Sequence, residues 1–157
     1  MSEPSEKNAF MADHVELLLH SHHELTGKHL IAAGEKLELA QTAYEAPFVL
    51  LSHGTEDDPI LNYGNLAAQR LFAMPWEKLT GTPSRFTAEL PNREERQRLL
   101  KRVTENGYID DYSGIRIAAD GRRFLIRNAT VWNVTDTSGR KIGQAAAFSE
   151  WDELHGA

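Results

Sequence analysis

Histidines crowd one end of this chain: His14, His20, His22, His23 and His29. His20 and His23 are three residues apart and share a helix face, whereas His22 points elsewhere. No HExxH spacing and no carboxylate triad joins them to the nearby Glu16 and Glu24. Surface histidines on an amphipathic helix are therefore expected, and no metal site is predicted. His53 and His155 fall at strand ends. The remaining acid–base candidates are the pairs Asp57-Asp58 and Asp110-Asp111. Strand neighbours face opposite ways, so Asp110 and Asp111 are not expected to act together. The chain has no Gly-rich phosphate loop, no GxSxG turn and no kinase motif set. It has no cysteine, which excludes disulfides, thiolate catalysis, Cys-based metal sites and flavin–thiol adducts. No catalytic residue is predicted.

Binding residues are better represented. In the stretch Phe124 to Val134, strict alternation puts Phe124, Ile126, Asn128, Thr130 and Trp132 on one face. Aromatic ends with two small polar groups between them suit a mostly apolar cavity with a few orienting hydrogen bonds. The alternative is that core neighbours satisfy Asn128 and Thr130. Gln144 lies on the neighbouring strand beside Ala145-Ala146-Ala147, whose small side chains leave room for close helix packing or for a pocket floor. Tyr63, Asn65 and Arg70 surround the first inner helix. A buried Arg70 would need a carboxylate partner or an anionic ligand, and Glu45, Asp57 and Asp58 are available as internal partners. Trp76, after Pro75, and Tyr108, at the start of a strand, complete the predicted ligand-binding set.

The elements that must hold these residues follow from periodicity. Phe10 to Glu24 and Lys36 to Ala46 read as helices, separated at Thr26-Gly27, with a further helical piece expected over Lys28 to Glu35. Pro47 to Ser52 is an apolar run suited to a doubly covered strand, and Ile60 to Tyr63 completes a hairpin. Asn65 caps a helix reaching Ala73, and Pro75 opens another short one. Pro83 to Pro91 is irregular. Asn92 then caps a charged helix from Arg93 to Glu105, with Leu99, Leu100 and Val103 as its buried stripe. From Tyr108 the period changes to two. Strands are predicted over Tyr108–Ile117, Phe124–Val134 and Ile142–Trp151, with turns at Asp120-Gly121 and at Asp136 to Gly139.

Composition limits the functions. The chain has 157 residues, 41% of them apolar and 25% charged, enough for about one domain with its own core. A formal charge of −6 without a Lys/Arg cluster argues against nucleic-acid binding. No apolar run approaches the roughly 18 residues of a membrane span, and no signal peptide is visible, so a cytoplasmic location is expected.

Separated motifs carry a family resemblance. Ala46-Pro-Phe-Val-Leu-Leu-Ser-His-Gly54, Asp58-Pro-Ile-Leu-Asn-Tyr-Gly-Asn65 and Gly107-Tyr-Ile-Asp-Asp-Tyr-Ser-Gly-Ile-Arg116 form the first group. Gly121-Arg-Arg-Phe124, Val131-Trp-Asn133 and Gly143-Gln-Ala-Ala-Ala-Phe-Ser-Glu-Trp151 form the second. Together they resemble the MEKHLA family, over about Leu17 to Trp151. The hexapeptide that names the family is not intact; His29-Leu-Ile-Ala32 stands nearest to it. The resemblance implies an α+β fold, a PAS-like five-stranded antiparallel sheet with flanking helices. On this chain it implies an N-terminal helical extension over residues 1–45 and a PAS-like domain over 46–152. It brings a sensory role but no enzymatic activity, ligand or cofactor. Haem sensors of the PAS kind take an axial His from the helix before the meander, and Arg93 to Glu105 has none.

The function expected first is a small PAS-like sensory or ligand-binding domain, non-catalytic, that binds a small molecule and signals through a protein partner. Phe10, Val15, Leu18 and Leu19 form an apolar stripe suited to covering the sheet or to a homodimer through the N-terminal helix. Two alternatives remain open. One is a structural protein–protein interaction module without a ligand. The other is a small cone-shaped α+β enzyme of the isomerase or hydratase type, working through one buried base.

Overall fold

The structure, a computed structural model, describes residues 2–32, 34–88 and 93–154, with the backbone alone at 93, 95 and 96. Segments of alternating polarity form strands and segments with a helical repeat form helices. A 3-10 segment, Glu6–Met11, leads into α1 (Ala12–Thr26) and α2 (Lys36–Glu45). Strands β1 (Val49–His53) and β2 (Leu61–Gly64) are followed by α3 (Leu66–Leu71), α4 (Trp76–Leu79) and α5 (Arg93–Asn106). The chain continues as β3 (Tyr108–Ile117), β4 (Arg123–Thr135), β5 (Lys141–Phe148) and β6 (Glu150–Leu154). The strands pair antiparallel in the order β2-β1-β5-β4-β3, and β6 pairs with the first part of β4. The strand predicted over Ile142–Trp151 is thus broken at Ser149 into two. The predicted cap at Asn92, together with Pro91 and His155, lies outside the described residues.

Helix α1 ends at Gly27, whose φ of 74° allows its N–H to bond the His23 carbonyl. The described residues between Gly27 and Lys36 are not helical, contrary to the expectation for Lys28 to Glu35. Gly34 accounts for part of this, because glycine weakens a helix interior.

The sheet separates two apolar layers. Phe72, Leu99, Val103, Phe124 and Ile126 belong to the inner layer, beneath α3 and α5. Val15, Leu18, Tyr44, Tyr63, Trp76 and Trp132 belong to the outer layer, beneath α1 and α2. Each fully buried aliphatic side chain contributes roughly 1.5–3 kcal/mol. The stripe on α1 is consumed here: Val15 is 1% exposed and Leu18 0%. Trp132 Nε1 donates to the Leu18 carbonyl (3.1 Å), and the Ser21 hydroxyl accepts from Thr135 N–H (3.0 Å). Val15 and Leu18 are therefore not free for self-pairing while α1 rests on the sheet.

The alternation predicted for β4 fails at its middle. Ile126 pairs with Gly114 and Ala129 with Tyr112, so Arg127 and Asn128 together oppose Ser113. This is a β-bulge, and Asn128 takes the left-handed conformation (φ 54°) that asparagine tolerates better than most residues. The bulge inverts the phase. Phe124 and Ile126 face inward before it, and Ala129 and Val131 face inward after it, leaving Trp132 in the outer layer. A second bulge sets Asp110 and Asp111 against Thr130, and both aspartates are exposed.

Asn65 joins the layers. Its Oδ1 accepts from Ala68 N (3.0 Å), capping α3, and from Leu50 N (3.1 Å) in β1. Its Nδ2 donates to the carbonyls of Ala43 (3.0 Å) in α2 and Phe48 (2.8 Å). Every hydrogen-bonding position of the amide is used, and the residue is fully buried. Asn65→Leu should lower unfolding free energy by about 3–5 kcal/mol in urea titration, because backbone groups in three elements lose a partner together. A loss below about 1 kcal/mol would show that these bonds are dispensable.

Under α1, His14 Nε2 lies 3.0 Å from Ser52 Oγ, whose hydroxyl donates to Asn62 Oδ1 (2.5 Å). His22 packs edge-on to Trp132 at 4.9 Å between ring centres. Burial lowers the pKa of both imidazoles below the ordinary 6.5. Below that pH the unfolded chain binds more protons than the folded one. Stability is therefore full above about pH 6.5 and falls with decreasing pH until the depressed folded values are reached. The urea midpoint should be lower at about pH 5 than at about pH 7.5, and His14→Asn with His22→Asn should shrink the difference. An unchanged difference in the double variant would assign the effect to other groups.

Candidate functional site

A cavity of about 90 Å³ lies on the inner side of the sheet. That is the space of roughly three waters. Leu61, Phe72, Leu99, Ile126, Val131 and Phe148 supply apolar walls, and Ala129 and Ala146 leave the floor open. Ser84, Thr87, Arg116 and Gln144 bring polar groups, with His53 and Tyr112 beside them. No Asp or Glu among the described residues lines it.

The two bulges shape its β3 wall. After them, Tyr112, Gly114, Arg116 and Ala118 are the buried residues of the strand and its extension. Tyr112 lies back along the strand over Gly114: a Cβ at position 114 would overlap the Tyr112 hydroxyl and sit 2.6 Å from its Cζ. Only glycine leaves that space. The Arg116 guanidinium then stacks 5.2 Å from the centre of the Tyr112 ring. It is 8% exposed, and Nη1 donates to the Ile115 carbonyl (2.9 Å). The ion-paired carboxylates serve other cations: Asp58 serves Arg85, Asp120 and Glu153 serve Arg122, and Asp152 serves Arg127. Among the described residues no carboxylate pairs with Arg116.

On β5, Gln144 is 3% exposed. A relay fixes its amide. Asn133 Nδ2 donates to the Val103 carbonyl (3.1 Å), which turns Asn133 Oδ1 toward Gln144, and Gln144 Nε2 donates to it (3.0 Å). Gln144 Oε1 remains buried without a hydrogen-bond donor.

Of the ligand-binding candidates, Gln144 alone lines this cavity. Tyr63, Trp76 and Trp132 are buried in the outer aromatic layer, with Tyr63 and Trp76 5.8 Å apart between ring centres. Burial raises the Tyr63 phenol pKa. Tyr108 packs half-buried against the same layer. Asn65 is the structural junction described above. Arg70 is exposed, and none of Glu45, Asp57 and Asp58 forms the predicted internal pair with it, because α3 turns that position to solvent. Asn128 is exposed at the bulge, its Nδ2 donating to Glu150 Oε2 (3.1 Å), and Thr130 is half-buried. Alternation through Asn128 sends these residues to the wrong face. Sequence reasoning passed over Arg116 and Tyr112. Arg116 stands two residues from both Gly114 and Ala118, a cation on the otherwise small, buried side of a strand, and that spacing was the available signal.

The histidines do not assemble. His23 and His29 stack at 3.9 Å and His20 lies 3.6 Å from Glu24, but among the described residues no group of three His, Asp or Glu could hold a metal. Among them, too, no helix is long and apolar enough to cross a membrane.

The MEKHLA domain family profile matches residues 12–153, beginning inside the helical extension. No curated protein matches the chain. Among solved structures, the PAS domain of a protein from Colwellia psychrerythraea is similar at a TM-score of 0.60 and 12% identity, covering 74% of this chain and 94% of that one. A fungal LOV domain photoreceptor is similar at 0.60 and 13%, covering 89% and 91%. A light-oxygen-voltage domain studied with a flavin analogue is similar at 0.56 and 13%, covering 75% and 85%. At these identities the likeness establishes the fold, which is PAS-like.

Gly114→Ala should cost about 1–3 kcal/mol by forcing Tyr112 off the strand. The cost should fall sharply when Tyr112 is already alanine, a coupling that a double-mutant cycle in urea measures. Additive losses would mean that the ring does not depend on this glycine.

Proposed function

The chain belongs to the MEKHLA domain family, and from that premise we propose that it is a small-molecule sensory domain, non-catalytic, which acts in the cytoplasm and signals through protein association. The observation that carries this is the inner cavity, apolar on most sides with a few polar groups in its lining. Among the described lining residues there is no Asp or Glu, and the His53 imidazole is tied through Nδ1 to the Gly54 carbonyl (2.8 Å), so binding is favoured over the acid–base chemistry of an isomerase or hydratase. A flavin of the kind studied in the LOV relative does not fit: about 90 Å³ is well below the roughly 300 Å³ at which drug-sized ligand pockets begin.

The route outward is short. β4 lines the cavity with Val131 and seats α1 with Trp132, while β5, paired with β4, lines the cavity with Ala146. A ligand that binds one arrangement of these strands better than another shifts how firmly α1 is held. Release of α1 would bare Val15 and Leu18, the stripe through which a second copy or another protein would pair.

Native mass spectrometry of the protein purified from its own host should show a small adduct that is lost on denaturation. Ala129→Leu, which puts an isopropyl group into the cavity, should abolish the adduct while the protein stays folded. A bare mass throughout, in a clean dimer, would instead favour a ligand-free interaction module.

A further inference from the structure

We propose that Arg116 makes one end of the inner cavity a site for a short-chain monocarboxylate, with the carboxylate on the guanidinium and the hydrocarbon tail along Phe72 and Ile126. This rests on the ligand-sensing reading above and names the class of ligand.

Arg116 is a buried cation without a counter-charge among the described residues. It lines the cavity and is 8% exposed. Nη1 donates to the Ile115 carbonyl (2.9 Å), and the guanidinium carbon lies 5.2 Å from the centre of the Tyr112 ring. One neutral acceptor and one ring face leave most of the five guanidinium donors unused. The acids of the β3–β4 turn and of β6 are engaged elsewhere: Asp120 and Glu153 pair with Arg122, and Asp152 pairs with Arg127. Buried charges are almost always paired, and an unpaired one is costly. The missing anion is therefore expected from the cavity itself.

The surroundings select the kind of anion. Arg116 pairs in register with Phe124, whose ring meets that of Phe72 edge-on at 5.3 Å between centres. Gly114, two residues back along β3, pairs with Ile126. Phe72, Ile126 and Tyr112 thus lie around the guanidinium, and all three line the cavity. Among the described residues no Lys and no second Arg lines it. A dianion such as phosphate would keep an uncompensated charge against apolar walls. A carboxylate carries one charge, matches the planar fork in two parallel bonds and brings carbons for the apolar side. The volume of about 90 Å³ keeps its chain short. Gln144 pairs with Asn133 toward the other end of β4 and takes no part.

The test is a titration of the full chain by amide NMR with butyrate, butyramide and inorganic phosphate at constant ionic strength. Butyrate should bind about tenfold or more tightly than either of the others and shift the amides of Gly114, Arg116 and Ile126. Arg116→Met should bring butyrate down to the level of butyramide. Should that variant fail to fold, Arg116→Lys keeps the charge without the fork and should retain a reduced preference for butyrate. Equal binding of butyrate and butyramide to the wild type, or tighter binding of phosphate, would overturn the monocarboxylate assignment and leave the sensing reading standing. An unreduced preference for butyrate in Arg116→Met or Arg116→Lys would also overturn it. If no probe moves these amides while the native protein carries an adduct that Ala129→Leu abolishes, the ligand class fails and the sensing reading stands. If no probe moves them and no adduct is found, both fail.

Discussion

One side chain amide holds the layers of this fold in register. Asn65 takes its place in the chain between the end of β2 and the start of α3, and it reaches across to the end of α2 and the start of β1. Without it, the entry to the sheet and the first turn of α3 would each lose the acceptor of a buried N–H, and the Ala43 carbonyl at the end of α2 would keep only its long bond from Ala46 N–H (3.4 Å). Such groups cost more to leave unmade than the bonds gain when made, so they must be satisfied together or not at all. The helical extension is thereby tied to the sheet through the same residue that starts the inner helices. The Tyr63–Trp76–Tyr44 cluster forms around this junction, and the inner cavity lies across the sheet from it.

The cavity depends on irregularity rather than on repetition. Regular β3 and β4 strands would carry Asn128 and Thr130 inward, as their parity demands. The bulges at Arg127-Asn128 and Asp110-Asp111 each add one residue against the partner strand and turn the sheet. Small Ala129 then occupies the floor, and Tyr112 and Arg116 form the wall. Gly114 is the local condition, since the ring needs the volume a Cβ would fill.

These features explain what could be read from the chain and what could not. Element types were legible wherever one period dominates: α1 from its apolar stripe, α5 from Leu99 and Val103, the hairpin from Leu50 and Leu61. Asn65 was legible as a cap, because its local role is set by the residues just after it. Its reach to Ala43 and Phe48 was not, because those partners arrive through tertiary folding. Trp132 was placed on the ligand face by counting in twos through Asn128, and one left-handed residue inverted the count. Asparagine is among the few residues that make such a turn cheaply, so its place mid-strand was a sign of the bulge. Arg70 next to available acids suggested a pair, but helix phase decides exposure, and a six-residue helix fixes phase poorly from sequence.

The two faces of β4 and β5 cannot behave independently. Val131 and Trp132 are adjacent residues, one in the cavity wall and one bonded to the backbone of α1, and β5 is paired with both through Ala146 and Ala145. Close-packed interiors transmit displacement rather than absorb it. A strand moved to accommodate a ligand on one face must move its other face by a similar amount. The bond from Trp132 Nε1 to the Leu18 carbonyl is directional and loses strength steeply with misalignment. The apolar contacts of Val15 and Leu18 change little over the same shift. The hydrogen-bonded pair, rather than the greasy stripe around it, is therefore the point at which a small movement of the sheet would first loosen α1.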